Sequence, residues 1–135
     1  MPTIVIVGAG PGLGLSIAKV FGRHGFTIAL VARDQAKLDA LAGQLGELGI
    51  DAAGFVADIM DRPSLVEAFD RITQRYGSID VLEYSPAPHS PVPGITMTGP
   101  IEATVDNLQP QIDFYLHGAV TATQQVLGAM VDRGV

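Results

Sequence analysis

The 135-residue chain is 47% hydrophobic and 16% charged, enough apolar side chains to fill the core of one domain. Fourteen acidic residues against eight basic ones give a formal charge of −6, which leaves no basic field for a nucleic-acid backbone or an anionic membrane surface. With no cysteine, disulfides, thiol catalysis and thiolate metal sites are excluded.

Thr3 to Val7 is aliphatic or β-branched without alternation, which is how a strand buried on both faces of a parallel sheet reads. The run is too short, and too soon followed by glycines, for a signal h-region or a spanning helix; a soluble, cytoplasmic protein is the expectation. Gly8, Gly10, Gly12 and Gly14 come next, and Leu13, Ile17, Val20 and Phe21 then recur at helical spacing before Gly25. Phe26 to Ala32 reads as a second buried strand. Leu38, Leu41, Leu45 and Leu48 mark a helical stripe that stops near Gly49, and a shorter strand follows around Asp51 to Val56. Pro63 predicts the first residue of a third helix, with Leu65, Phe69, Ile72 and Tyr76 on its inner face, ahead of a strand from Ile79 to Tyr84. Ser85 to Gly99 holds four prolines and no periodicity, so it predicts a loop. From Thr104 onward Leu108, Ile112, Tyr115, Ala119, Val126 and Met130 keep helical spacing, with Pro110 expected in the first turn or at a kink.

Four strands separated by three helices predict successive right-handed crossovers. The fold class is therefore α/β, a Rossmann-type doubly wound parallel sheet of four strands in the order 3-2-1-4, with residues 1–135 as one domain. The proline-rich loop then falls at the carboxyl end of strand four, where ligands sit in such sheets.

The glycines discriminate between nucleotide-binding families. The common dinucleotide fingerprint needs glycines at i, i+2 and i+5, and from Gly8, Gly10 or Gly12 the last position is Leu13, Leu15 or Ile17. A flavoprotein-like reading of GAGPG fails at the same Leu13. A methyltransferase reading wants acids where the chain has Ile6 and Arg33. The spacing that fits is Gly-x-x-x-Gly-x-Gly, made by Gly8, Gly12 and Gly14, and with it the chain resembles the short-chain dehydrogenase/reductase family. In that setting Gly8 allows the turn off strand one, Gly12 lets backbone approach a pyrophosphate, and Gly14 lets the helix pack closely. The amides at the helix start, Leu13 among them, would face the phosphates.

The resemblance implies further contacts. Arg33 follows strand two at the position that in NADP-preferring members pairs with the ribose 2′-phosphate, so NADP is the implied cofactor, with NAD as the alternative. Asp34 would cap the next helix. Asp58 and Ile59 fall on the family segment that touches adenine; the other reading of Asp58 is a turn residue, with a helix cap nearby at Asp61. Ser85, just after strand four, would border the nicotinamide. Small-molecule substrates and a homo-oligomer follow from the same resemblance, with Leu108, Ile112, Tyr115 and Met130 of the last helix, or the edge of strand four, as the covered surface.

The resemblance also has gaps. The family runs to about twice this length, and its catalytic serine and Tyr-x-x-x-Lys belong to the later half; neither Lys19 nor Lys37 has a tyrosine four residues earlier. Glu83 to Pro88 replaces the family's Asn-Asn-Ala-Gly. In the last helix Gly118 matches an Asn-x-x-Gly pattern, but Tyr115 stands at its asparagine. Tyr84, His89, Tyr115 and His117 are the remaining proton-transfer candidates besides carboxylates, and none has a partner pattern that assigns it a catalytic role. No spacing of His, Asp and Glu suggests a metal site. Two readings stand: the nucleotide-binding part of an oxidoreductase whose catalytic residues lie beyond Val135, or a non-catalytic dinucleotide-binding module acting as sensor or subunit partner.

Overall fold

In the computed structural model, which describes residues 1–87, 92, 94, 95 and 98–135, every residue of the first strand is buried. This strand, β1 (Thr3–Val7), therefore lies inside the sheet, pairing in parallel with β2 (Thr27–Ala32) on one side and β4 (Val81–Tyr84) on the other. β3 (Ala52–Val56) adds to β2, giving four parallel strands in the order β3-β2-β1-β4. The helices α1 (Leu13–Arg23), α2 (Gln35–Glu47) and α3 (Arg62–Tyr76) form the crossovers. After β4 a long helical rod runs as α4 (Val105–Gln111), a π-helical turn (Ile112–His117) and α5 (Gly118–Arg133).

Strand alternation divides the core in two. Ile4, Ile6, Ile28 and Leu30 pack against Leu15 and Ala18 of α1 and Leu38, Leu41 and Leu45 of α2. Val5, Val7, Ala29 and Val31 turn to the other face, against Leu65, Phe69 and Ile72 of α3 and Ala122 and Val126 of α5. Removing a ring as enclosed as that of Phe69 costs about 3–5 kcal/mol. Asp80 ties the two ends of this second layer together. Its carboxylate accepts the N–H of Thr3 at 2.9 Å, and Arg133 at the end of α5 donates to Ile79 O at 2.7 Å and to Asp80 Oδ1 at 3.4 Å.

Several element details differ from expectation, each for a physical reason. In α1 the face on the sheet is Gly14, Leu15 and Ala18, while Leu13 and Val20 are more than half exposed. Small residues four apart let the helix lie close: a Cβ on Gly22 would come within 2.5 Å of Ile50 Cγ2. Leu48 caps α2 and is exposed, because the helix has ended at Glu47. Strands two, three and four begin at Thr27, Ala52 and Val81 rather than at Phe26, Asp51 and Ile79. Pro63 is the second residue of α3, behind Arg62, and Asp61 stands before the helix with no side-chain capping bond. Asp34 does cap α2, accepting the N–H of Lys37 at 3.2 Å.

The rod differs most. It opens with a capping box in which Thr104 and Asn107 exchange side-chain to backbone bonds of 3.2 and 2.8 Å. Pro110 stands inside α4, past its first turn, and the wide turn begins two residues later. Only Phe114, Gly118, Thr121, Ala122 and Val126 are buried along the turn and α5, and Met130 packs on the chain's own core rather than facing outward. Leu108, Ile112 and Tyr115 are exposed. No helix among the described residues is long and apolar enough to cross a membrane.

Candidate functional site

The carboxyl ends of the strands open onto a cleft of about 920 Å³. Its floor is made by Val7 and Val31 at the ends of β1 and β2, Ala57 after β3, and Pro86 after β4. One wall is the turn Gly8 to Pro11; the other is Arg33, the cap residue Asp34 and α2 as far as Gln44, with Lys37 on the helix. Ile59 and Phe114 close the far side.

The glycine turn is shaped for a ligand that meets backbone. Gly8 has φ +92°, and a Cβ there would stand 2.5 Å from the Cα of Pro86, so no other residue fits. The N–H groups of Gly8 and Ala9 both bond to Val31 O, at 2.9 and 3.1 Å, which pins the turn onto β2. Past that point the backbone is open. The N–H groups of Gly10, Gly12, Leu13 and Gly14 have no acceptor among the described residues, and Gly12 starts α1 without a side-chain cap. Nothing lies within 4 Å of where a Gly12 Cβ would be. A Gly14 Cβ would stand 3.2 Å from Ala9 Cα, which is the close approach that seats the helix on the turn. Unpaired first-turn amides with the helix dipole behind them are an anion seat.

Arg33 and Lys37 add formal positive charge to the opposite wall. Neither is in an ion pair among the described residues, where the only ion pairs are His117–Asp113 and Arg133–Asp80. The Asp34 carboxylate beside them is engaged with the Lys37 N–H. In a chain of net charge −6 this is a local excess of unpaired cations on a concave surface.

Of the residues singled out from sequence, Gly8, Arg33 and Ile59 line the cleft directly. Gly12, Leu13 and Gly14 are not among the lining residues: they follow the lining turn in sequence, as the cap and first two residues of α1, and the Leu13 side chain points to solvent, 66% exposed. Asp58 is exposed and locally engaged: its carboxylate accepts Met60 N–H at 3.0 Å and its own N–H donates to Ser64 Oγ at 2.8 Å, an Asx turn that orients Ile59. Ser85 donates its N–H to Val7 O at 3.1 Å, continuing the sheet by one residue, and the cleft is lined by Pro86 and Ala87 instead. Lys37, Gln44, Pro86 and Phe114 are cleft residues that periodicity did not single out. Lys37 lies in the first turn of α2 and reaches the cleft beside Arg33, which precedes that helix; Phe114 was not legible, since only the irregular turn of the rod brings it round.

The proton-transfer candidates are not brought together. Tyr84 points from β4 into the α3–α5 layer, where its hydroxyl donates to Phe114 O at 2.6 Å. Burial, with a smaller contribution from Tyr115, pushes its phenol up to about 12. His117 pairs with Asp113 at 2.9 Å. Tyr115 is half exposed and packs edge-on against Phe114, with 4.9 Å between ring centroids. His89 lies outside the described residues. Among the described residues no serine, tyrosine or histidine lines the cleft, and no three His, Asp or Glu side chains converge as a metal site would require.

An open parallel α/β sheet with a glycine turn, free helix-start amides and a basic wall at its carboxyl end defines a Rossmann-type nucleotide-binding protein. Comparison with known proteins narrows the class. The family model described as short chain dehydrogenase matches residues 2–135, and the chain belongs to that family of oxidoreductases with an NAD(P)-binding fold. It is 31% identical to a C alpha-dehydrogenase of a Sphingobium species, over 96% of this chain and 41% of that protein. A variant of actinorhodin polyketide ketoreductase solved with NADPH superposes with a TM-score of 0.86 at 26% identity, over 99% of this chain and 50% of that one. A 2-keto-3-deoxy-D-gluconate dehydrogenase from Streptococcus agalactiae gives a TM-score of 0.78 at 31% identity, over 98% and 48%. The chain thus spans about half the length of the relatives it matches.

Proposed function

We propose that this chain is the nucleotide-binding half of an NAD(P)-dependent oxidoreductase, one that passes hydride between the nicotinamide and a carbonyl or alcohol carbon of a small-molecule substrate. The observation that carries this reading is that one cleft is lined by the Gly8 to Pro11 turn, which leads directly into the open first-turn amides of α1, and by the unpaired Arg33 and Lys37. In it the pyrophosphate sits on the amides. The ribose 2′-phosphate of NADP meets Arg33, which can bind it bidentately, and Lys37, which adds a point charge. Ile59 and the Asp58 turn border the adenine, and the segment after Ser85 borders the nicotinamide. The serine, tyrosine and lysine of the reaction then come from sequence beyond Val135.

A second copy of the chain is the proposed macromolecular partner. Leu116, Val120, Leu127 and Val131 recur on one face of the rod and are each at least half exposed. The alternative reading, a non-catalytic dinucleotide-binding module, rests on the altered asparagine positions, Glu83 to Pro88 after β4 and Tyr115 in the rod. Continuation of the coding sequence into a Tyr-x-x-x-Lys would decide for the enzyme.

The test is parallel titration with NADPH and NADH. The parent chain is expected to bind NADPH more tightly, and Arg33→Ala to weaken NADPH while leaving NADH nearly unchanged. Equal weakening of both would remove the NADP assignment, and no binding of either would remove the nucleotide site.

A further inference from the structure

The rod after β4 departs from a regular helix where it passes the cleft. In an α-helix the Gly118 N–H would bond to Phe114 O; here it bonds to Asp113 O, one residue further back. The Phe114 carbonyl is thereby released from its α-helical donor, and the hydroxyl of Tyr84, reaching across from β4, takes it at 2.6 Å. Space for that hydroxyl exists because residue 118 has no side chain: a Cβ there would overlap the Tyr84 oxygen and stand 2.6 Å from Ile59 Cγ2. Three groups far apart in sequence are thus mutually fitted: the Tyr84 phenol, the bare backbone of Gly118, and Ile59 from the turn after β3.

Two of the side chains this contact controls face the cleft. Phe114, 4% exposed, follows its own carbonyl, and Ile59 is held against Gly118. We propose that Tyr84 is a positioning residue for the bound nucleotide: its hydroxyl fixes the widened turn, and the turn sets Phe114 and Ile59 as the apolar wall on which the base rests. The proposal builds on the nucleotide-binding reading above. Tyr84 is suited to the task because a phenol is a neutral hydroxyl donor at physiological pH and this one is committed to the Phe114 carbonyl. It does not touch the ligand, since Phe114 and Ile59, not Tyr84, line the cleft.

The experiment is NADPH titration of the parent chain, Tyr84→Phe, Gly118→Ala and the double variant, with amide hydrogen exchange on each. Tyr84→Phe deletes one oxygen, and is expected to weaken NADPH about three- to tenfold, the range of one hydrogen bond, while exchange at residues 114–119 quickens. Gly118→Ala is expected to weaken NADPH further, and adding Tyr84→Phe to recover part of that loss by removing the oxygen the new methyl strikes. A purely structural role would lower the melting temperature and leave the dissociation constant alone. Tyr84→Phe binding NADPH as tightly as the parent therefore overturns the positioning role while the nucleotide site stands. A Gly118→Ala loss that is simply multiplied by the Tyr84→Phe loss overturns the proposed fit. Failure of the parent chain to bind any nucleotide overturns the underlying reading, and the positioning role with it.

Discussion

The two flanks of the sheet meet the same requirement, an apolar face against the strands, by different means. On the α1–α2 flank the helices are regular, the inner residues are aliphatic or very small, and the glycine turn feeding α1 carries the open amides. On the α3–α5 flank the rod after β4 breaks its own ladder, turns Phe114 inward, and leaves Leu116, Val120, Leu127 and Val131 outside. The first flank can be read from spacing because its bonds are local. The second depends on a phenol from β4, and its geometry exists only once the sheet has formed.

Substitutions can break this contrast, and the largest effect belongs to the first flank. Gly8→Ala combines a positive φ with a collision against the Pro86 backbone, which has no flexible end to move. It should cost about 3 kcal/mol or more in denaturant unfolding and abolish nucleotide binding; a loss under about 1 kcal/mol would mean the turn is softer than its contacts indicate. Gly118→Ala, the matching test on the second flank, meets side-chain atoms that can shift, and should cost about 1–3 kcal/mol. Arg33→Ala touches only the ligand side of the first flank. It should remove about 1–3 kcal/mol of NADPH binding and leave stability within about 0.5 kcal/mol.

Smaller effects sharpen the second flank. The Tyr84 phenol is raised from 10 to about 12 in the folded chain, so between those values the unfolded chain has released a proton the folded one still holds. The unfolded state binds fewer protons there, and stability falls as pH rises through that window. Tyr76, also raised by burial, contributes to the same fall. Tyr84→Phe should therefore show a shallower decline than the parent above pH 10, and a parallel curve below it, in melting temperature against pH. Smallest of all, Leu127→Gln on the outer stripe should change stability by no more than about 0.5 kcal/mol. Its effect belongs in sedimentation: a weaker self-association would support the proposed second copy, and an unchanged profile would move the contact elsewhere.

What was legible in the sequence follows the same division. The strand order, the three crossovers, the glycine turn and Arg33 could be read because aliphatic runs and glycine spacing are local signals. The stripe on α1 was misplaced toward Leu13 and Val20 because hydrophobicity ranks Gly14, Ala18 and Gly22 low, although small size is what close packing selected there. Pro110 signalled a disturbance, but neither the π-helical turn nor the inward Phe114 could be derived, since each depends on Tyr84, thirty residues earlier, for a bond.

The tie between Thr3 and Asp80 spans 77 positions, and every strand pairing in the sheet is parallel. No hairpin can nucleate such a sheet; each pairing must wait for a crossover to close, and β1 gains its second neighbour only after three helices have been laid down. During synthesis the aliphatic run of β1 therefore emerges long before β4 can flank it. The strand that ends as the most sheltered part of the molecule spends the longest time unsheltered, a window in which a chaperone or another nascent chain competes for it.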